Sequence, residues 1–128
     1  MIYLLDTHTF LWLLKAPATL PRRVVEIAEN RSETIALSLA TPWEMAIKTN
    51  LGKLNAADIL DDFERLITTG GYTMLHTTPA QVIRSGRLPL HHKDPFDRLI
   101  AAQALDLKIP IISRDPVFGL YGVKRIWN

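Results

Sequence analysis

Short apolar runs of strand length alternate along this chain with longer stretches of helical periodicity, and that alternation leaves few folds open to it. Residues 2–5 (Ile-Tyr-Leu-Leu), 34–37 (Thr-Ile-Ala-Leu), 72–75 (Tyr-Thr-Met-Leu) and 109–112 (Ile-Pro-Ile-Ile) read as strands, with 123–127 as a marginal fifth. Between them, Val24, Val25, Ile27 and Ala28 recur at helical spacing. So do Ile59, Leu60, Phe63, Leu66 and Ile67, in one predicted helix over 56–69 that Gly70-Gly71 ends. A third set is Phe96, Leu99, Ile100, Gln103 and Leu107. Helices alternating with strands predict a three-layer α/β/α domain on a mostly parallel central sheet of four to five strands, one domain over 1–128.

Composition narrows the chemistry. With 48% hydrophobic and 22% charged residues the chain can bury a core and is not disordered. It has no cysteine, so disulfides and thiolate metal sites are excluded, and any metal must be held by carboxylate, imidazole or carbonyl groups. A formal charge of +2 permits a nucleic-acid partner without arguing for one. The first residues lack the basic segment and long apolar run of a signal peptide, and no apolar stretch approaches the roughly 20 residues that span a bilayer. The expectation is a cytoplasmic protein with no membrane partner.

The acids are placed suggestively. Asp6 directly follows the first predicted strand, Glu44 lies on the helix after the second, and Asp97 lies in the first turn of the helix before the fourth. Asp115 follows the fourth strand itself. Ligands of open parallel sheets bind beyond the carboxyl ends of the strands, where these four side chains are expected to converge. Four carboxylates together repel one another, and a divalent cation removes that cost. All-oxygen donors suit Mg2+ or Mn2+, which acidifies bound water and polarises a phosphoryl oxygen, so the pattern points to phosphodiester hydrolysis. Each acid also has a plainer role. Asp6 could cap the helix starting at Thr7, Glu44 could pair with Lys48 four residues on, Asp97 could complete a capping box, and Asp115-Pro116 could form a turn.

In order along the chain stand Asp6-Thr7, then Trp43-Glu44 with Lys48 and Gly52-Lys53-Leu54. Asp94-Pro95-Phe96-Asp97-Arg98 with Ile100-Ala101-Ala102 follows, and then Ser113-Arg114-Asp115. This set resembles the PIN-domain family, and within it the VapC-type toxins of toxin–antitoxin pairs, over essentially the whole chain. The resemblance implies a PIN-like fold and a Mg2+- or Mn2+-dependent endoribonuclease whose acidic quartet falls on Asp6, Glu44, Asp97 and Asp115. Asp97 takes that place because it stands directly before the Arg-Leu-Ile-Ala-Ala run, which leaves Asp94 as helix cap and supporting carboxylate. Thr7, Ser38 and Ser113 are supporting hydroxyls by the same likeness. It further implies an RNA substrate, a homodimer, a protein antitoxin, and operator DNA bound only through that antitoxin.

Arg98, Arg114, Lys48 and Lys93 stand near the predicted site and are candidate contacts to RNA phosphates. His91 and His92 adjoin the acidic helix and are open to reading as metal ligands or a general base, but oxygen-only donors suit the hydrolysis better and a polar loop is the expectation. Trp12 and Trp43, in apolar helical runs, read as core residues in preference to base-stacking platforms. The run 10–14 (Phe-Leu-Trp-Leu-Leu) needs cover on two sides, part of which a second subunit could supply. A receiver-like phospho-signalling domain would want paired acids after the first strand and a lysine after the last. An aspartate-nucleophile phosphatase would want an aspartate where His8 stands. Neither arrangement is here.

Overall fold

Strand β1 (Ile2–Leu5) occupies the middle of a five-stranded sheet in the computed structural model, which describes residues 1–128. The other strands are β2 (Thr34–Ser38), β3 (Thr73–Leu75), β4 (Ile111–Ile112) and β5 (Arg125–Ile126), in the order β3-β2-β1-β4-β5. Every pairing is parallel, with Leu5 opposite Leu37 on one side and Ile112 on the other. The last two strands are shorter than the runs that predict them. Pro110 lacks a donor but still accepts from Leu4 N at 2.9 Å, so it leads into β4 without belonging to it.

Side chains alternate across the sheet with period two, and each face takes its own core. Leu5, Ile35, Leu37, Ile112 and Ile126 face one layer, with Phe10 of α1 (Thr7–Lys15), Val24 of α2 (Arg22–Glu29) and Met45 of α3 (Ala40–Asn50). Ile59 of α4 (Ala57–Asp61) and Ile67 of α5 (Phe63–Gly70) complete that layer. Leu4, Ala36 and Ile111 face the other, packed by α7 (Pro95–Leu107) and by Phe118 of α8 (Val117–Leu120). Ala101 and Ala104 bring α7 close to the strands. Outside it lies α6 (Pro79–Arg87), started by a capping box between Thr78 and Gln81.

Two expectations change. The single helix over 56–69 is broken at Asp62, whose backbone leaves the helical region (φ −118°, ψ 19°) while its carboxylate turns onto Arg65. Gly71, at φ +72°, then stops α5 in the left-handed conformation that glycine adopts without strain. The apolar run 10–14 is covered largely within one chain. Phe10 and Leu11 are buried, and Trp12, Leu13 and Leu14 pack half-buried against the same core, so the run by itself does not call for a second subunit.

Candidate active site

The chain runs outward from β1 through β2 to β3, then returns to lay β4 on the other flank of β1. The two crossovers leave in opposite directions, opening a crevice between β1 and β4 at their carboxyl ends. Asp6 and Ser113 are the first residues past those ends, and they meet: Ser113 Oγ donates to Asp6 Oδ2 at 2.5 Å. The same hydroxyl accepts from Asp115 N at 3.0 Å, so one buried serine ties the exits of both central strands together.

Asp6 caps α1, its Oδ1 accepting from Thr9 N at 2.9 Å. It is only 6% exposed. Burial pushes its carboxyl above the ordinary range, and the bonds from Ser113 and Thr9 and the charge of His8 only partly oppose that. Opposite it, α3 presents Glu44, 2% exposed. One oxygen, Oε2, is paired with Lys48 a helical turn later; the other, Oε1, is buried without any hydrogen-bond partner. A charged oxygen left that way is expensive unless something else is meant to meet it.

The start of α7 supplies the remaining acids. Asp94 caps the helix by accepting from Phe96 N at 2.8 Å and Asp97 N at 3.1 Å, and its second oxygen lies 3.7 Å from Lys48 Nζ. Asp97 does not close a capping box; its Oδ2 faces His92 Nε2 at 2.7 Å. Burial, and then the charges of Asp94, Asp6 and Glu44, drive its carboxyl from 3.8 up to about 6, against the lowering effect of His92. These four acids therefore share one electrostatic environment. Lys48 sits among them: burial disfavours its charge, but the bond to Glu44 and the charges of Glu44, Asp94 and Asp97 hold its ammonium above its usual range.

Asp115 stands at the rim. Its Oδ1 accepts from Val117 N at 2.9 Å, and with Asp6, His8, Trp12, Arg114 and Pro116 it lines an open cavity of about 390 Å³. No three His, Asp or Glu side chains draw together tightly enough to hold a cation alone. Of the acids, Asp6 and Asp115 line that cavity, while Glu44 and Asp97 lie close enough to it for Asp97 to feel the charges of Asp6 and Glu44, and one carboxyl oxygen of Glu44 is buried without a partner. That donor set fits a hard divalent ion, which takes few protein ligands and keeps several waters.

The remaining candidates fall in three groups. The Ser38 and Thr7 hydroxyls make no hydrogen bond to any of the acids. Ser38 Oγ accepts from Ala40 N at 3.0 Å to turn the chain into α3, and Thr7 Oγ1 meets Thr41 Oγ1 at 3.1 Å, pinning α1 to α3. Arg98 is not at the surface, as an RNA contact requires. Its buried guanidinium donates to the carbonyls of Gly86, Leu88, Pro89 and His92 and to the Tyr121 hydroxyl, fastening the loop before α7. Lys93 and Arg114 are exposed, and Lys48 is committed to the acids.

His92 belongs to the site although its sequence neighbourhood reads as a polar loop, because Arg98 folds that loop back over Asp97. The one hint in the sequence is its position two residues before the cap of an acidic helix. Trp43 is not a core residue either: it is 55% exposed and stands edge-on to Phe96 with ring centres 4.8 Å apart.

A parallel α/β domain with an acidic crevice at its switch point is the class these features define. The family model of the PIN domain matches residues 3–124, and the chain belongs to that family, whose members are generally nucleases that use divalent metals. No curated protein matches the chain in sequence at a significant level. Among solved structures it is similar to VapBC2 from Rickettsia felis bound to a promoter DNA fragment, at 16% identity over 100% of both chains with a TM-score of 0.71. VapBC-1 from nontypeable Haemophilus influenzae is similar at 20% identity over 98% of this chain and 97% of that one, TM-score 0.71. A toxin–antitoxin complex from Klebsiella pneumoniae is similar at 19% identity over 89% of this chain and 87% of that one, TM-score 0.60. At these identities the likeness speaks for the fold. No helix is long and apolar enough to cross a membrane.

Proposed function

We propose that this chain is a VapC-type toxin, an endoribonuclease that hydrolyses RNA phosphodiesters with Mg2+ or Mn2+ held by Asp6, Glu44 and Asp97, and Asp115 at the rim. The observation that carries the reading is the orphaned, buried Oε1 of Glu44, whose carboxyl is near enough to raise Asp97, as Asp6 does too, both Asp97 and Asp6 being carboxyls that burial has raised. When bound, a divalent ion supplies a more acidic water and charge neutralisation for the phosphoryl group.

The chain's own residues do the rest. Ser113 and the Thr9 amide fix the rotamer of Asp6, so its oxygens stay aimed at the crevice. Lys48 holds one oxygen of Glu44 and leaves the other free. Asp94 shapes the first turn of α7 and adds negative charge beside Asp97. His92 meets Asp97 Oδ2 and keeps that carboxylate oriented. Arg114, exposed beside Asp6 and Asp115, and Lys93, exposed just before Asp94 in the chain, offer cations to the RNA backbone.

The same reading includes an antitoxin covering the crevice, operator DNA bound only through that antitoxin, and pairing of two copies. Similarity to toxin–antitoxin complexes supports the antitoxin. An exposed apolar stripe along α3 and its C-cap, Trp43, Ile47 and Leu51 at four-residue spacing, supports a protein-covered surface. The test is cleavage of single-stranded RNA by purified chain with Mg2+ or Mn2+. Cleavage should cease with EDTA and in Asp6→Asn while circular dichroism stays unchanged. Undiminished cleavage by Asp6→Asn, purified free of contaminating nuclease, would overturn the assignment.

A further inference from the structure

The largest cavity in the molecule, about 710 Å³, lies beside the acidic crevice and not within it. Trp12, Thr19, Leu20, Arg114, Trp127 and Asn128 are among its lining residues. It adjoins the crevice: Trp12 and Arg114 line both it and the 390 Å³ cavity that contains Asp6 and Asp115. Three aromatic rings run along this path. His8 and Trp12 have centres 5.9 Å apart at 41°, and Trp12 and Trp127 have centres 5.9 Å apart at 56°. The rings are tilted and line the path instead of closing it as a stack.

Arg114 stands at the junction. Its backbone is held in place, since Arg125 Nη1 donates to the carbonyls of Ser113 at 3.0 Å and Arg114 at 3.4 Å. Its guanidinium has no hydrogen bond or ion pair of its own within the chain. An uncommitted cation on an anchored backbone, between an acidic crevice and an aromatic-lined cavity, matches the repeat of a single-stranded nucleic acid, in which a phosphate is flanked by a base. Aromatic side chains suit that base because every nucleobase offers a π-face. Thr19 and Asn128 add polar groups that can meet its edge.

On the nuclease reading of the crevice, we propose that this cavity is the subsite for the nucleobase adjoining the scissile phosphate. Trp12 and Trp127 form its platform, and Arg114 bridges to the intervening phosphate. Trp127 and Trp12 thereby anchor the base, and holding it there lets Thr19 and Asn128 read its edge, so choice of cleavage site is exercised in this cavity and not among the carboxylates.

The experiment uses a randomised single-stranded RNA pool, cut by the full chain with Mg2+ and sequenced at the new ends. Wild-type protein should show a base preference at one position next to the cut. Trp127→Ala should flatten that preference and raise KM about tenfold with kcat much less affected, because one stacked base contributes about 1–3 kcal/mol. Trp127→Phe should restore both. Since Trp127→Ala could disturb packing against Trp12, Thr19→Trp is the second variant. It fills the cavity from an exposed position and should likewise erase the preference. Unchanged KM and cut profile in both variants would overturn the subsite while leaving the nuclease reading intact. The same holds if those variants instead lose only inhibition by a protein partner, which would give the cavity to that partner. A wild-type chain that cuts no RNA at all would sink the underlying reading.

Discussion

Replacing Asp97 by asparagine should stabilise the metal-free protein while ending its activity. In the fold this carboxyl is raised from 3.8 to about 6, first by burial and then by Asp94, Asp6 and Glu44. A carboxyl whose folded pKa exceeds its unfolded value holds an extra proton in the native state between the two. Its contribution is therefore intact below about pH 3.8 and is lost as pH rises through about 6. At roughly 1.4 kcal/mol per pH unit, ionised Asp97 costs the native state about 3 kcal/mol at pH 8. Asparagine removes that cost but weakens the bond to His92, worth about 1 kcal/mol, which leaves a net gain of about 2 kcal/mol. Urea unfolding in EDTA measures it: the midpoint should rise by about 1 M at pH 8 for a denaturant slope near 2 kcal/mol/M. At pH 3.5 wild type and variant should coincide, or the variant should be slightly the weaker. Equal midpoints at pH 8, or a difference between the two proteins that does not vary with pH, would refute the claim that burial and neighbouring acids strain this carboxyl.

Other perturbations follow from the same contacts. Ser113→Ala removes the hydroxyl that donates to Asp6 and accepts from Asp115 N, and should cost about 1–3 kcal/mol by chemical denaturation and at least tenfold in kcat/KM for RNA. Arg98→Met strips the loop carbonyls of Gly86, Leu88, Pro89 and His92 of their donor. A stability loss of about 3 kcal/mol or more and new protease cleavage within residues 86–92, seen by limited proteolysis, are expected. Mg2+ at a hundred times its dissociation constant should stabilise wild-type protein by about 2.7 kcal/mol in a thermal shift, and Asp97→Asn should lose most of that response.

Local chemistry made much of this molecule readable. Asp94, Pro95 and Gly71 announce the start of α7 and the end of α5 because caps are written in neighbouring residues, and both stand where the sequence puts them. The apolar runs announce the strands for the same reason. What failed depended on distant partners. Arg98 looks like a surface cation beside an acid, yet it is buried because an irregular loop needs donors for its carbonyls, a demand invisible until the loop's path is known. His92 follows from that path, since the residue carbonyl held by Arg98 delivers the imidazole to Asp97. Ser38 and Ser113 both stand at the ends of strands that flank β1, yet only Ser113 bonds Asp6 while Ser38 Oγ accepts from Ala40 N, a choice of partner that strand assignment alone does not announce.

The acids of the crevice also show which of two opposing forces prevails. Asp6 and Asp94 each sit at a helix N-terminus, and Asp97 lies in the first turn of α7, where amides and the helix dipole favour negative charge by about 0.3–1 kcal/mol apiece. For Asp6 and Asp97 that help is outweighed, and both carboxyls move upward. A domain selected for stability alone would relieve the conflict with neutral caps, since asparagine caps a helix as well as aspartate does. Retaining ionisable groups in a buried crevice, with Glu44 Oε1 unpartnered, makes sense if the unfavourable energy is released when positive charge arrives from outside. Lys48 cannot be that charge, because its reach is already spent on Glu44 Oε2 and Asp94 Oδ2, outside the orphaned oxygen.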